Sequence, residues 1–267
     1  MIRFDRFPQG KHKAVTLSYD DGRDFDRRMV AIMNRHGVRG TFHLNSARLS
    51  SPGYVESAEL ADLFAGHEVS AHTVNHPFLS MSPPETIASE TLNDRRELEN
   101  LIGYPIRGMS YPFGSWNQEV VAILRATGME YARTTQSSGL FDMPADFLVW
   151  KPTCHHREML AYAQKLIDLQ MRHTRMALLY VWGHSYEFDN HQNWQELEQF
   201  CRLIGSQTDI WFATNIEIVA YMQAVQRLRC SVSGQLVHNP SAIPVWFSVN
   251  GHQEVVQAGE TKKLAHV

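Results

Sequence analysis

Up to about residue 225 short apolar segments alternate with longer amphipathic ones, and this rhythm of βα units restricts the chain to a parallel α/β architecture. Residues 14–19 (AVTLSY) read as a buried strand. Residues 25–36 read as a helix whose Met29, Val30, Ile32 and Met33 precede Gly37 at a C-cap position. A strand at 40–44, a helix at 56–65 and a third strand at 67–71 follow. Ser82-Pro83-Pro84-Glu85 then has the pattern of a capping box with proline at the first helical position, opening a helix that runs to about Ile102. Further strands are expected at 106–111, 130–134, 147–152, 176–182 and 210–213. Helices are expected at 118–127, 158–171, 192–204 and 216–227. Seven or so such units predict a closed or nearly closed barrel.

From about Leu228 the texture changes to short apolar groups separated by Ser-Gly, Asn-Pro, Asn250-Gly251 and Ala258-Gly259, the pattern of antiparallel strands and tight turns. The chain therefore reads as a barrel over 1–227 with a small β-rich extension over 228–267. The 25 Lys and Arg are scattered and balanced by 28 Asp and Glu. That distribution leaves no footprint for a nucleic-acid backbone or an anionic membrane. Cys154, Cys201 and Cys230 are odd in number and widely spaced, which fits buried thiols rather than a disulfide framework or a C-x-x-C metal site. The charged first ten residues lack a signal-peptide apolar run, and no apolar stretch approaches the roughly 18 residues of a membrane span, so the expectation is a cytoplasmic enzyme.

Active sites of parallel α/β folds lie at the carboxyl ends of the strands, and three polar clusters fall there. Tyr19-Asp20-Asp21-Gly22 ends the first strand with two adjacent carboxylates that point in different directions. Either one binds a cation while its neighbour acts as a base, or one caps the helix that follows. His72-Thr73-Val74-Asn75-His76 follows the third strand. Imidazoles four residues apart converge on one cation if the backbone turns, and a carboxylate completes a three-ligand site with an open position. Trp182-Gly183-His184 ends a further strand. His184 there suits a general acid or, alternatively, a hydrogen-bonded core histidine. Glu187, His155, His156 and Arg133 also lie just beyond predicted strand ends, where plain loop polarity is the simpler reading.

In this order the clusters resemble the NodB-homology polysaccharide deacetylases (carbohydrate esterase family 4). The family's T-F-D-D-G is similar to Ser18-Tyr19-Asp20-Asp21-Gly22, and its paired-histidine motif to His72-Thr73-Val74-Asn75-His76. Its R-x-P-[FY]-G is similar to Ser110-Tyr111-Pro112-Phe113-Gly114, and its last motif to Leu179-Tyr180-Val181-Trp182-Gly183-His184. The resemblance, over about residues 12–225, implies a distorted (β/α)7 barrel and a divalent metal, usually zinc. It also implies hydrolysis of an N- or O-acetyl group on a carbohydrate. Carried over by position, it implies Asp20 as general base, Asp21, His72 and His76 as metal ligands, His184 as general acid and the Phe113 N–H in the oxyanion site. Tyr111, Trp182, Arg133 and His155 are the further candidates for substrate contact.

Two departures stand out. Ser110 occupies the place of the family arginine that tethers the catalytic aspartate, and Arg133, after the next strand, is the candidate replacement. The family's spaced Asp and Trp are not recognisable in the segment 149–156. A competing reading is an amidohydrolase of small cyclic amides or ureides on the same barrel; another is a non-catalytic carbohydrate-binding relative.

Overall fold

The computed structural model describes residues 1–170 and 176–264. In chain order its regular elements are β1 (Ile2–Arg3), β2 (Lys13–Asp20), α1 (Asp26–Arg35), β3 (Gly40–Leu44), α2 (Leu60–Leu63), β4 (Glu68–Ala71), α3 (Pro84–Ile102), β5 (Gly108–Ser110), α4 (Gln118–Ala126), β6 (Tyr131–Arg133) and β7 (Cys154–His155). There follow α5 (Met159–Asp168), β8 (Ala177–His184), α6 (Ser185–Asn190), α7 (Trp194–Gly205), β9 (Ile210–Phe212), α8 (Asn215–Arg227) and five short strands, β10 (Arg229–Cys230), β11 (Leu236–His238), β12 (Val245–Val249), β13 (His252–Val256) and β14 (Thr261–Lys263).

Seven parallel strands form one curled row, β6-β5-β4-β3-β2-β8-β7, and β9 joins it beside β2. The start of β2 (Lys13 to Val15) pairs with β9 and its end (Leu17 to Asp20) with β3, while β8 runs along the whole of its other side. All eight residues of β2 are buried, as a central parallel strand covered on both faces requires. The segment from Trp150 to His155 brings the two ends of the row together. Trp150 donates its N–H to the Ala132 carbonyl (3.0 Å), and Thr153 donates to the Tyr180 carbonyl (2.8 Å). The result is a (β/α)7 barrel, with the polar ends of β2, β4, β5 and β8 on one rim.

A second apolar cluster unites Phe7, Ala14, Leu178 and Tyr180 with α8 and with Val237, Val245, Phe247 and Val249 of the last strands. These strands form two small antiparallel sheets, β1-β12-β13 and β10-β11-β14. Between β12 and β13 the Asn250-Gly251 pair takes φ of 52° and 86°, as a two-residue turn matching strand twist demands.

Local chemistry moves several boundaries from where periodicity puts them. Residues 147–152 form no strand: Asp146 accepts the Leu148 N–H (2.9 Å) and bends Phe147–Val149 into a 3-10 turn, leaving Trp150 a single bridge to Arg133. Ser82 does not cap α3. Proline at 84 holds Pro83 extended (ψ 152°), so the helix starts after Pro83 and the Ser82 hydroxyl donates to the Phe78 carbonyl instead. Over 56–65 only a 3-10 turn (Ser57–Glu59) and the short α2 form. The helix expected at 158–171 ends at Asp168, and Met171 lies outside the described residues. A short helix, α6, precedes the one expected at 192–204.

Candidate active site

β2 ends in Asp20, and the next residue leaves the strand with φ of 80°. This turn sends the two neighbouring carboxylates to different places. Asp20 is buried and Asp21 half-buried, and both line a cavity of about 430 Å³ together with His72, His76, Tyr111, Phe113, Thr135, Trp182, His184 and Tyr186.

Asp21 Oδ1 lies 3.6 Å from His72 Nε2 and 3.8 Å from His76 Nε2. Donor atoms bound at about 2.1 Å to a tetrahedral ion lie roughly 3.4 Å apart, so this trio fits a divalent cation with little movement. The tautomer agrees: His72 Nδ1 donates to the Ser110 carbonyl (2.9 Å), which leaves the Nε2 lone pair facing Asp21. Burial lowers the His72 pKa against the pull of Asp20 and Asp21, favouring the neutral ring that a cation needs.

Two buried residues hold the loop that carries His72 and His76. Asp94, on α3, accepts the His72 N–H (2.9 Å) with one oxygen and the Ser46 N–H (2.8 Å) with the other. Asn45 donates to the carbonyls of His72 (2.6 Å) and Thr73 (2.8 Å). Neither was marked by the sequence, because a lone Asp inside a helix and an Asn after a strand are common features. If the three ligands act together, His76→Ala should lose most of the bound divalent ion. Elemental analysis of the folded variant checks this, and unchanged stoichiometry would contradict it.

Behind Asp21, His72 and His76, the Arg133 guanidinium contacts both Asp20 oxygens from β6, and Ser110 Oγ donates to Asp20 Oδ1 (2.9 Å). Burial alone would raise the Asp20 pKa. Arg133, with His72, His43 and His184, outweighs it and holds the carboxyl far below its usual range. Arg133 is wholly buried and sits over the Trp182 ring (4.6 Å), so it acts on Asp20 rather than on anything in the cavity. The register Ser110↔Arg133 explains the exchange: the guanidinium comes from the strand next to the one that carries Ser110.

On the opposite wall His184 Nδ1 donates to Glu187 Oε1 (2.7 Å), leaving Nε2 for the cavity. Burial would lower the His184 pKa, but the hydrogen bond to Glu187 and the charges of Asp20 and Asp21 raise it above the ordinary value. Glu187 is itself held well below the usual carboxylate range despite burial, through His155, His184 and His156. Arg157 donates to its Oε2 (2.8 Å), and the Nε2 atoms of His155 and His156 lie 3.5 and 3.6 Å from its oxygens. His155 therefore belongs to the Glu187 group and does not line the cavity. The i,i+3 spacing of His184 and Glu187 across a strand-to-helix junction was the signal available for this pair. Tyr111 is buried, its hydroxyl donating to the Leu148 carbonyl (2.7 Å), and Trp182 forms part of the cavity wall.

A family model described as polysaccharide deacetylase matches residues 8–132. The peptidoglycan-N-acetylglucosamine deacetylase of Listeria monocytogenes is 27% identical over 123 residues, 45% of this chain and 26% of the relative. A chitooligosaccharide deacetylase of Bradyrhizobium is 28% identical over 120 residues, 44% of this chain and 53% of the relative. The matched stretch thus spans about a quarter of one curated relative and about half of the other. A solved Mycobacterium smegmatis structure of the polysaccharide deacetylase type superposes with a TM-score of 0.64 at 16% identity, covering 82% of this chain and 93% of its own. That likeness is one of fold. Residues 8–132, which carry Asp20, Asp21, His72 and His76, are thus the part of the chain that is similar to the polysaccharide deacetylases.

Proposed function

We propose that the protein is a divalent-metal-dependent hydrolase that removes acetyl groups from an N-acetylated or O-acetylated carbohydrate. The observation that carries this reading is the convergence of Asp20, Asp21, His72, His76 and His184 on one cavity, from the ends of three strands. Binding alone would need neither a buried carboxylate held by an arginine and a serine nor a histidine paired with a carboxylate beside it.

Asp21, His72 and His76 would hold the ion, which when bound supplies a Lewis acid that polarises an acyl oxygen and lowers the pKa of water. Asp20, fixed by Arg133 and Ser110, remains ionised at neutral pH and accepts the proton of the attacking water at a carboxylate oxygen. Phe113 lines the cavity with φ of 57°, and its backbone N–H would serve as a donor to the developing oxyanion. His184 Nε2 then gives a proton to the departing amine, while Glu187 keeps the ring oriented and charged.

Glu187→Gln should remove the charged half of that last contact. A general acid is active only while protonated, so activity falls as pH rises through its pKa. A hydrogen bond to a charged group is worth about 1.5–3 kcal/mol, or about one to two pH units. The alkaline limb of kcat/KM for an N-acetyl substrate should therefore move at least about one pH unit lower. An unmoved limb would remove Glu187 from the account.

The reaction itself is tested by offering the metal-loaded protein N-acetylated chitooligosaccharides and, separately, a cyclic ureide. Acetate release supports the proposal, ring opening without acetate points to the amidohydrolase, and binding without turnover points to a lectin-like relative.

A further inference from the structure

The rim beside His76 carries an apolar surface that the steps above do not use. Phe78, Met81 and Phe113 are 47%, 82% and 54% exposed, and exposed apolar groups clustered at the mouth of a polar pocket mark a binding surface. Phe78 and Phe113 come from different loops, after β4 and β5, yet their rings stack with centroids 3.9 Å and planes 8° apart. The two loops are tied together. Ser80 and Ser115 share a hydroxyl hydrogen bond (2.7 Å), Ser80 N–H donates to Ser115 Oγ (3.2 Å), and Asn117 Nδ2 donates to the Ser80 carbonyl (3.4 Å). Phe113 also holds a left-handed backbone conformation that a bulky residue rarely adopts. The stack is thus built in advance rather than assembled around a ligand. It is continuous with the cavity: Phe113 lines it, and the Phe113 and His76 rings are 4.3 Å apart.

We propose that the Phe78–Phe113 stack is a sugar platform on which a pyranose ring of the substrate lies while an acetyl group of the same chain enters the cavity. The inference rests on the deacetylase reading and narrows the substrate to an oligosaccharide. A pyranose ring has C–H bonds that pack on a flat aromatic face and hydroxyls around its edge that stay in water. An open platform suits that division. A wholly apolar occupant would gain most from an enclosed pocket, and a small cyclic amide would fit inside the cavity without reaching Phe78.

The test is steady-state deacetylation of chitotetraose by metal-loaded wild type, Phe78→Ala and Phe78→Trp, with the metal content of each measured. The platform predicts at least a tenfold higher KM for Phe78→Ala with kcat changed less than threefold, recovery of KM in Phe78→Trp, and equal metal in all three. A wild-type KM in Phe78→Ala would overturn the platform alone. So would a fall in metal content or kcat without a change in KM, which would make the stack a support for His76. If wild type released no acetate from chitotetraose, the deacetylase reading would fail and the platform with it.

Discussion

Asp20→Asn should keep its divalent ion and lose about 10²- to 10⁴-fold in turnover, the usual contribution of a positioned general base. The amide matches the carboxylate in shape, and Ser110 Oγ still finds an acceptor in its oxygen. It cannot take a proton from water near neutral pH. The proposed cation ligands are on the neighbouring residue and the β4 loop, so the stoichiometry of bound metal should not change. The substitution also leaves Arg133 buried without its counter-charge, so rates must be compared per folded, metal-loaded molecule. Near wild-type turnover in that preparation would exclude Asp20 as the base.

Arg133→Ala should have the largest effect on stability. Removing one partner of a buried ion pair leaves an uncompensated charge, at a cost of about 3–5 kcal/mol, and here the stranded group is Asp20. The pH dependence should change with it. A carboxyl whose folded pKa is depressed contributes stability that is present above its unfolded value, about pH 3.9, and lost as pH falls toward the folded pKa. Wild type should therefore lose the contribution of this pair only on acidification below about pH 4, whereas in Arg133→Ala burial is opposed only by the nearby histidines and Ser110, and the Asp20 pKa should rise from its wild-type position. The variant should accordingly be most destabilised at neutral pH and approach wild type in acid. Turnover should also fall at least about tenfold, equivalent to roughly 1.4 kcal/mol of transition-state stabilisation. Chemical denaturation at pH 7 and pH 4 checks the first claim. An equal loss relative to wild type at both values would mean that the guanidinium does not carry the charge of Asp20. Arg133→Lys should recover only part of either loss, since an ammonium cannot reproduce the planar fork.

The contrast between these residues shows where the sequence is informative. Asp20 and Asp21 were legible because a single strand and its turn place both, and His72 and His76 because one loop carries them. The link between Arg133 and Asp20 spans 113 positions and depends on the register of β5 against β6, which no local pattern encodes; only the missing arginine at Ser110 hinted at it. Asp94 and Asn45 act on backbone groups, and a carboxylate that accepts N–H bonds has no motif. Its burial pushes the Asp94 carboxyl up to about 7, a sign visible only once the helix is packed. The boundary errors have the same origin. Phe147–Val149 is apolar enough for a strand, but the Asp146 cap determines its local geometry.

The central claim is that a cation at Asp21, His72 and His76 enables the chain to release acetate from a carbohydrate. The most direct measurement is the rate of acetate release from an N-acetylated chitooligosaccharide as metal-free protein is titrated with zinc. The account predicts no release without the ion and a rate that rises in proportion until one ion per chain is bound at these three residues. Undiminished release by the metal-free protein, or none at full occupancy, would contradict it.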